Sequence, residues 1–272
     1  MIKKVLKVVL ILVLIIAFVL IVGIVLTEYK VNKDVKNLFS KEYETKIYSE
    51  EQIINLPEPV QKYFQNVLQD GQEYIDYVRL EHGGGFRTTP EQAWSNIKGE
   101  EYFLGREPGF VWVGRVPFIT GIDKFVNYEG NLQIKILSSI RVVNGKGEKV
   151  DQGEFLRWLG EAPLYPTALL PSDNLRWEEI DSNFAKVIYS IGEEEIEGVF
   201  EFNEDGEAVR FMAERYFGED LEDWTGYYRN YIEVDGFKIP SEIEAQWNLD
   251  DGDFSYAKFD IEKVEFNEPF RY

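Results

Sequence analysis

A cluster of acidic and basic residues near the middle of the chain has the spacing of one helix face. Glu154, Arg157 and Glu161 lie three and four residues apart, so on a helix their side chains point the same way. A second cation, Arg215, lies in a later segment that alternates like a strand. Carboxyl groups with raised pKa values about an arginine could do acid–base work. The sequence favours the other interpretation, a salt-bridge network that holds a helix on a sheet.

Aromatic residues are the second signal, since Phe, Tyr and Trp make up 15% of the chain. Ligand cavities combine apolar, often aromatic walls with a few polar groups. Aromatic side chains also fill the cores of β proteins, which is the simpler explanation for any single one. As a set, the predicted ligand-binding residues are Trp112, Trp158, Trp177, Trp224 and Trp247, together with Glu154, Arg157, Glu161 and Arg215.

Two further motifs are incomplete. Residues 82–85 (HGGG) spell the oxyanion-hole motif of lipases and esterases, but the chain has neither a G-x-S-x-G nucleophile nor a second histidine. A bulge or tight bend in a strand is the simpler interpretation. The acidic runs at 193–195, 220–223 and 250–253 lack EF-hand spacing and are typical of solvated turns and charged strand edges. The sequence therefore predicts no catalytic residue, no metal and no cofactor.

Composition excludes several classes of protein. The 272 residues include no cysteine and one histidine, which excludes thiol catalysis, thiolate metal sites, disulfide scaffolds and multi-histidine metal centres. Lysine and arginine number 29 against 49 aspartates and glutamates, a formal charge of −20. Nucleic acid is not an expected partner, because phosphate binding depends on lysine and arginine.

Residues 5–26 are apolar except for Lys7 near their start, and as a helix they span roughly 33 Å, enough for the core of a bilayer. A cleaved signal peptide has a shorter apolar region and a small-residue cleavage site, which is not found after Leu26. We predict an uncleaved signal anchor that crosses the cell membrane once, with residues 1–4 in the cytoplasm and the bulk of the chain outside it. Lysines flank the span on both sides, so the positive-inside rule does not fix this orientation.

The remaining chain divides into a stalk and one domain. Residues 27–55 are charged without a sustained apolar face and are interpreted as a stalk, followed by an extracytoplasmic domain over 56–272. Its first element is an amphipathic helix over 56–68, where apolar residues recur at steps of three and four. A second helix is predicted over 152–159, between strands.

Strands make up most of the domain, because elsewhere the apolar residues alternate with polar ones. Asx-Gly pairs at 205–206, 235–236 and 251–252 predict tight hairpins, and 129–131 and 145–147 are looser versions. Short turns imply antiparallel neighbours. The predicted fold is mainly β (α+β), a curved antiparallel sheet or half-barrel with a few short helices, preceded by one transmembrane helix.

An ordered series of motifs resembles a large bacterial family that is known only as a domain of unknown function, often behind membrane helices. The motifs are LPEPVQKYF, GFVW, GEFLRWLGE followed by PTALL, WEEID, WTGYYRNY and DGFKIP, within about 56–266. The resemblance implies no catalytic residues, because the family has no established activity. More distantly, DGFKIP after a hairpin resembles the periplasmic lipoprotein-carrier superfamily. That resemblance implies a half-barrel around a hydrophobic cavity that binds acyl chains or lipoproteins.

These observations predict a membrane-anchored binding module, for a lipid or other amphiphile or for a protein of the cell envelope. The expected partners are the bilayer, through residues 5–26, and an amphiphilic ligand, whereas the sequence identifies no protein partner. Two alternatives stay open. One is an envelope enzyme that uses Glu154 and Glu161 around Arg157 on a glycan or lipid-linked substrate. The other is a purely structural subunit of a membrane complex.

Overall fold

The computed structural model describes residues 2–272 of the chain. The helices are α1 (Ile2–Leu38), α2 (Glu58–Val67) and α3 (Glu148–Glu161), with 3-10 turns at Glu50–Gln52, Ala162–Leu164 and Pro166–Leu169. The strands are β1 (Tyr77–Phe86), β2 (Ser95–Asn96), β3 (Lys98–Leu104), β4 (Phe110–Val116), β5 (Ile119–Val126), β6 (Glu129–Ile136), β7 (Ile140–Gly145), β8 (Leu175–Glu179), β9 (Phe184–Ile191), β10 (Glu194–Phe202), β11 (Ala208–Phe217), β12 (Asp220–Val234), β13 (Phe237–Leu249) and β14 (Gly252–Phe266).

The strands form one curved antiparallel sheet that does not close. Its order is β7-β6-β5-β4-β3-β1-β14-β13-β12-β11-β10-β9-β8, with β2 beside β1. Two meanders therefore run outward from the central β1–β14 pair, and α3 connects the edge strand β7 to the edge strand β8. The predicted fold class, a mainly β half-barrel with few helices, is confirmed.

The three predicted Asx-Gly turns are confirmed. They connect β10 to β11, β12 to β13 and β13 to β14. At the second of them, Asp235 and Gly236 have φ values of 50° and 81°. Positive φ at both central residues is the geometry of a tight hairpin turn, which explains the glycine there.

The two looser turn predictions are wrong in detail. Residues 129–131 already belong to β6, and the turn before them is made by Asn127 and Tyr128, with φ values of 54° and 64°. Residues 145–147 make no hairpin, because they lead from β7 into α3. Asparagine adopts positive φ more often than most other non-glycine residues, so a turn can precede the glycine that marks it.

The main core lies on the face of the sheet that α2 and α3 cover, called here the inner face. Helix α2 buries Val60, Tyr63, Phe64 and Val67 there, as its three- and four-residue spacing predicts. Helix α3 is longer than its predicted range of 152–159 and packs across β5, β6, β10 and β11.

A second core on the outer face corrects the predicted stalk. Helix α1 continues without a break to Leu38, and Val31, Val35 and Leu38 form an apolar stripe that is almost fully buried. This stripe packs on side chains of β3, β4 and β5, namely Tyr102, Leu104, Val111, Val113 and Ile122. The prediction that residues 27–55 lack an apolar face is therefore wrong for residues 31–38.

Candidate functional site

A cleft of about 390 Å³ lies between α3 and the inner face of the sheet. It combines an apolar, aromatic wall with several charged side chains. Seven of the nine predicted ligand-binding residues line it: Trp112, Glu154, Arg157, Glu161, Arg215, Trp224 and Trp247. The structure thus places residues from α3 and from strands of both meanders around one space.

The other two predicted residues, Trp158 and Trp177, lie in the core. The indole N–H of Trp158 donates to the carbonyl of Leu104 at 3.0 Å, and that of Trp177 donates to the carbonyl of Leu169 at 2.9 Å. Both rings are buried among apolar side chains. Their nitrogens are satisfied by the backbone, so both residues act in packing.

A row of three side chains across β3, β4 and β5 forms the floor of one end of the cleft. Glu101, Trp112 and Asp123 stand directly opposite one another in the strand register, so they share the inner face. Glu101 and Asp123 are absent from the predicted site. The alternating pattern of each strand predicts their orientation, because Phe103 and Phe125, two residues further along, are buried on the same face.

Arg157 reaches from α3 to this row and is bound by three carboxyl groups. Its Nη1 donates to Asp123 at 2.8 Å, its Nη2 to Glu101 at 2.6 Å, and its Nε to Glu161 at 3.2 Å. The guanidinium also lies 5.0 Å above the ring of Trp112. This arrangement is the internal salt-bridge network, and it engages all three nitrogens of the guanidinium.

Burial changes the charge of the carboxyl groups in the cleft. Desolvation raises the pKa of Glu101 and Glu154 well above the ordinary value, and it also raises the pKa of Glu161. The charge of Asp123 raises the pKa of Glu154 further, whereas Arg157 offsets part of the effect at Glu101. These groups therefore keep a proton at pH values where a solvated glutamate has lost it.

Arg215, at the other end of the cleft, has far fewer polar partners. Its guanidinium stacks at 5.2 Å from the ring of Trp224 and 5.8 Å from that of Trp247. Its Nη1 donates to the hydroxyl of Tyr256 at 3.4 Å, a long bond. The nearest carboxyl oxygen within residues 2–272 is Oε2 of Glu154, at 3.9 Å, which is buried and has no hydrogen-bond partner there. Arg215 therefore has donors free for an anion.

Two glycines let α3 approach the sheet closely. A Cβ atom at Gly153 would lie 3.1 Å from Nε of Arg215, and one at Gly160 would lie 2.9 Å from the ring of Phe211. The distance at Gly160 is shorter than real Cβ contacts, whereas the one at Gly153 is tight and requires the Arg215 side chain to move. The glycines at the two ends of GEFLRWLG thus permit the short distance between α3 and the sheet.

His82 supports the floor of the cleft from β1. Its Nε2 accepts a hydrogen bond from the indole N–H of Trp112 at 2.9 Å, which leaves its proton on Nδ1 to bind the carbonyl of Gly83 at 3.0 Å. Burial lowers the pKa of His82 to about 4. The register of β1 shifts between Glu81 and His82, so the predicted bulge is confirmed and HGGG forms no oxyanion loop.

The family of the chain follows from its sequence over this same region. Residues 46–259 match the sequence model of DUF6544, a family of unknown function. The chain belongs to the DUF6544 family. The predicted resemblance to a family of unknown function is thereby confirmed, and no curated protein matches the chain.

Two solved structures are similar to this DUF6544 protein. A LolA superfamily protein from Nitrosomonas europaea is 12% identical, with a TM-score of 0.43 over 77% of this chain and 92% of the other. A DUF1329 family protein from Desulfovibrio piger is 9% identical, with a TM-score of 0.43 over 72% of this chain and 88% of the other.

The two glutamates of the predicted enzyme alternative both line the cleft in this DUF6544 protein. A glycosidase needs two carboxyl groups that face an open space from either side of the bond. Here Glu161 is held by Arg157, and Glu154 is buried. The end of the cleft near Arg215 instead offers a cation, a carboxyl group with a raised pKa and three aromatic side chains.

Proposed function

We propose that this protein is a membrane-anchored binding module whose cleft takes an amphiphile with an anionic group. Arg215 carries the proposal, since it is a buried cation on an aromatic wall without a close anionic partner. A carboxylate or phosphate group would supply that partner, because arginine binds both through paired N–H donors. The apolar part of the ligand would lie against Trp224, Trp247 and Phe259.

Helix α1 supports the membrane anchor. It is long and apolar enough to cross a bilayer, and residues 5–26 would form the span. In this proposal residues 1–4 lie in the cytoplasm, and the sheet lies outside the cytoplasm, on the continuation of the same helix. Residues 27–55, the predicted stalk, then connect the span to the domain over 56–272.

The raised pKa of Glu154 supports an anion rather than a cation as the ligand group. A protonated Glu154 does not neutralise Arg215, and it offers a hydrogen-bond donor to the same anion. A cleft of about 390 Å³ lies within the range of pockets that bury a small molecule.

The test compares ligands that differ only in the head group. Residues 27–272, which keep the stripe that packs on the outer face, are titrated with dansyl-undecanoic acid, and the probe is displaced with laurate, dodecanol or dodecylamine. We expect laurate to displace the probe best. Arg215→Gln should weaken probe binding by about tenfold or more, because a hydrogen bond to a charged group is lost.

The control variant is Arg229→Gln, since Arg229 is an exposed arginine on the neighbouring strand. It should bind the probe as the parent protein does. Equal displacement by laurate and dodecanol, or unchanged binding in Arg215→Gln, would contradict an anion site at Arg215.

A further inference from the structure

One hairpin tip lies against α1 at the end of its apolar stretch, and a second tip lies beside the first. The turn between β6 and β7 contacts the helix directly: the hydroxyl of Thr27 donates to the carbonyl of Ser138 at 2.8 Å. One helical turn earlier, Gly23 faces Ser139 so closely that a side chain at position 23 would collide with it. The sheet is therefore fixed in height relative to the helix.

That height places the tip at the membrane surface, provided that residues 5–26 form the span of the proposed function. Gly23 lies three residues before the end of the span, which is about 4.5 Å along the helix axis. A turn that contacts Gly23 and Thr27 reaches the level at which the hydrocarbon core ends. The neighbouring tip between β4 and β5 lies at the same end of the sheet, because the N–H of Leu137 donates to the carbonyl of Phe118 at 2.7 Å.

Both tips expose apolar side chains at this level. Phe118 is 75% exposed and Ile140 is 59% exposed, although the protein buries most of its other large apolar side chains outside the span. Further exposed apolar residues of the same hairpins are Ile119, Ile136, Val142 and Val143. Ile119, Ile136 and Ile140 stand opposite one another in the strand register, and a contiguous exposed apolar patch marks an interaction site. We call these six residues the tip patch.

Basic side chains border the tip patch, in a chain whose formal charge is −20. Lys30, Lys135 and Arg141 form no salt bridge among the residues that the structure describes. Partial burial lowers the pKa of Lys135, and the charges of Lys30 and Arg141 lower it further. Mutually repelling cations of this kind gain most from external anions, and lipid phosphates supply anions at this height.

We infer that the tip patch inserts into the interface of the bilayer that α1 crosses, with Lys30, Lys135 and Arg141 on the phosphates of anionic lipids. The sheet then stands on the membrane rather than away from it, and its acidic surface is turned to the solvent. Continuity with the apolar helix favours this occupant over a protein partner, since in the proposed function lipid surrounds the helix just before the point where the β6–β7 tip contacts it.

The absence of cysteine from the chain permits a clean test. Phe118→Cys and Ile140→Cys are labelled with the fluorophore NBD in the full-length protein, in nanodiscs of phosphatidylcholine and phosphatidylglycerol. Ile180→Cys is the matched control, since Ile180 is 49% exposed beside the opposite edge strand, β8. Phe18→Cys reports the span itself.

We expect the labels at 118 and 140 to be quenched by lipids with a nitroxide near the head group and to be shielded from aqueous iodide. The label at 180 should show the reverse. Removing phosphatidylglycerol, or introducing Arg141→Gln, should increase iodide quenching at 140 several-fold, whereas Arg176→Gln at the far edge should not.

Three outcomes would overturn the inference or its basis. Labels at 118 and 140 that behave like the one at 180, while the label at 18 lies in lipid, would overturn it and leave the anchor intact. An aqueous label at 18 would overturn the anchor itself. Labels at 118 and 140 shielded from iodide but not quenched from lipid would show that a protein, or a second copy, covers the patch.

Discussion

Arg157 and Arg215 lie at the two ends of one cleft and differ in their partners rather than in their burial. Each side chain is 12% exposed, and each guanidinium stacks on a tryptophan. Arg157 has three carboxyl groups within hydrogen-bond distance, whereas the nearest carboxyl oxygen to Arg215 is 3.9 Å away. Burial and aromatic contact therefore do not distinguish the arginine of the salt-bridge network from the arginine of the proposed anion site. The number of satisfied donors does.

Replacing each arginine should change the free energy of unfolding by very different amounts. Arg157→Met leaves Glu101, Asp123 and Glu161 without their common cation, and breaking a buried network in this way costs about 3–5 kcal/mol. Arg215→Met removes no ion pair closer than 3.9 Å and should cost about 1 kcal/mol or less. Urea unfolding of both variants, followed by tryptophan fluorescence, measures the difference.

A triple variant shows whether the carboxyl groups are the cause. Adding Glu101→Gln and Asp123→Asn to Arg157→Met should recover part of the lost stability, because fewer buried acids remain unpaired. Equal losses in Arg157→Met and Arg215→Met would remove the distinction between the two ends.

The second expected effect concerns the glycines of α3. Gly160→Ala places a Cβ atom 2.9 Å from the ring of Phe211, which is fully buried and cannot yield. Overpacking of this kind costs about 1–3 kcal/mol and exceeds the helix propensity gained from alanine. Gly153→Ala instead contacts the Arg215 side chain, which can move, so this variant should be as stable as the parent or up to about 1 kcal/mol more stable.

Gly153→Ala should also weaken binding of the dansyl-undecanoic acid probe, because the added methyl group displaces the Arg215 guanidinium. Thermal unfolding and probe titration together read out both effects. If Gly160→Ala were tolerated and Gly153→Ala were not, the close approach of α3 would serve Arg215 rather than the core.

The sequence predicts the helix face of the site but not the strands beneath it. Glu154, Arg157 and Glu161 are placed correctly because helical spacing alone brings them together. Glu101 and Asp123 are missed because a charged residue in a strand is normally solvated, and only the register shows that Arg157 compensates both. Alternation with Phe103 and Phe125 can place both carboxyl groups on the inner face, but no local pattern shows that one arginine binds both.

A similar limit applies to the cavity wall and to α1. The sequence does not distinguish Trp158 from Trp224, since both are tryptophans in an aromatic-rich domain. In the structure Trp158 points into the core and Trp224 lines the cleft, and this difference depends on the position of α3. In α1, the lysines among residues 30–36 hide the stripe formed by Val31, Val35 and Leu38. That stripe becomes evident only when the outer face of the sheet is present to cover it.

The remaining prediction concerns the pH dependence of stability that Glu154 causes through its raised pKa. Its ordinary pKa is 4.5, and in the folded protein burial raises it well above that value. The folded state therefore binds this proton more tightly than the unfolded state does. The resulting stability is complete below about pH 4.5 and is lost as the pH rises through the pKa of the folded state.

Glu154→Gln mimics the protonated side chain and does not titrate. At pH 5 its free energy of unfolding should lie within about 1 kcal/mol of the parent value, and the difference should shift in favour of the variant between pH 5 and pH 8. His82 titrates in part of this window, because burial lowers its pKa to about 4, and it stabilises the fold at higher pH. Since both proteins contain His82, its contribution cancels in the difference. A difference that does not change with pH would mean that Glu154 is ionised beside Arg215, and the anion site would then already be occupied by the protein's own carboxylate.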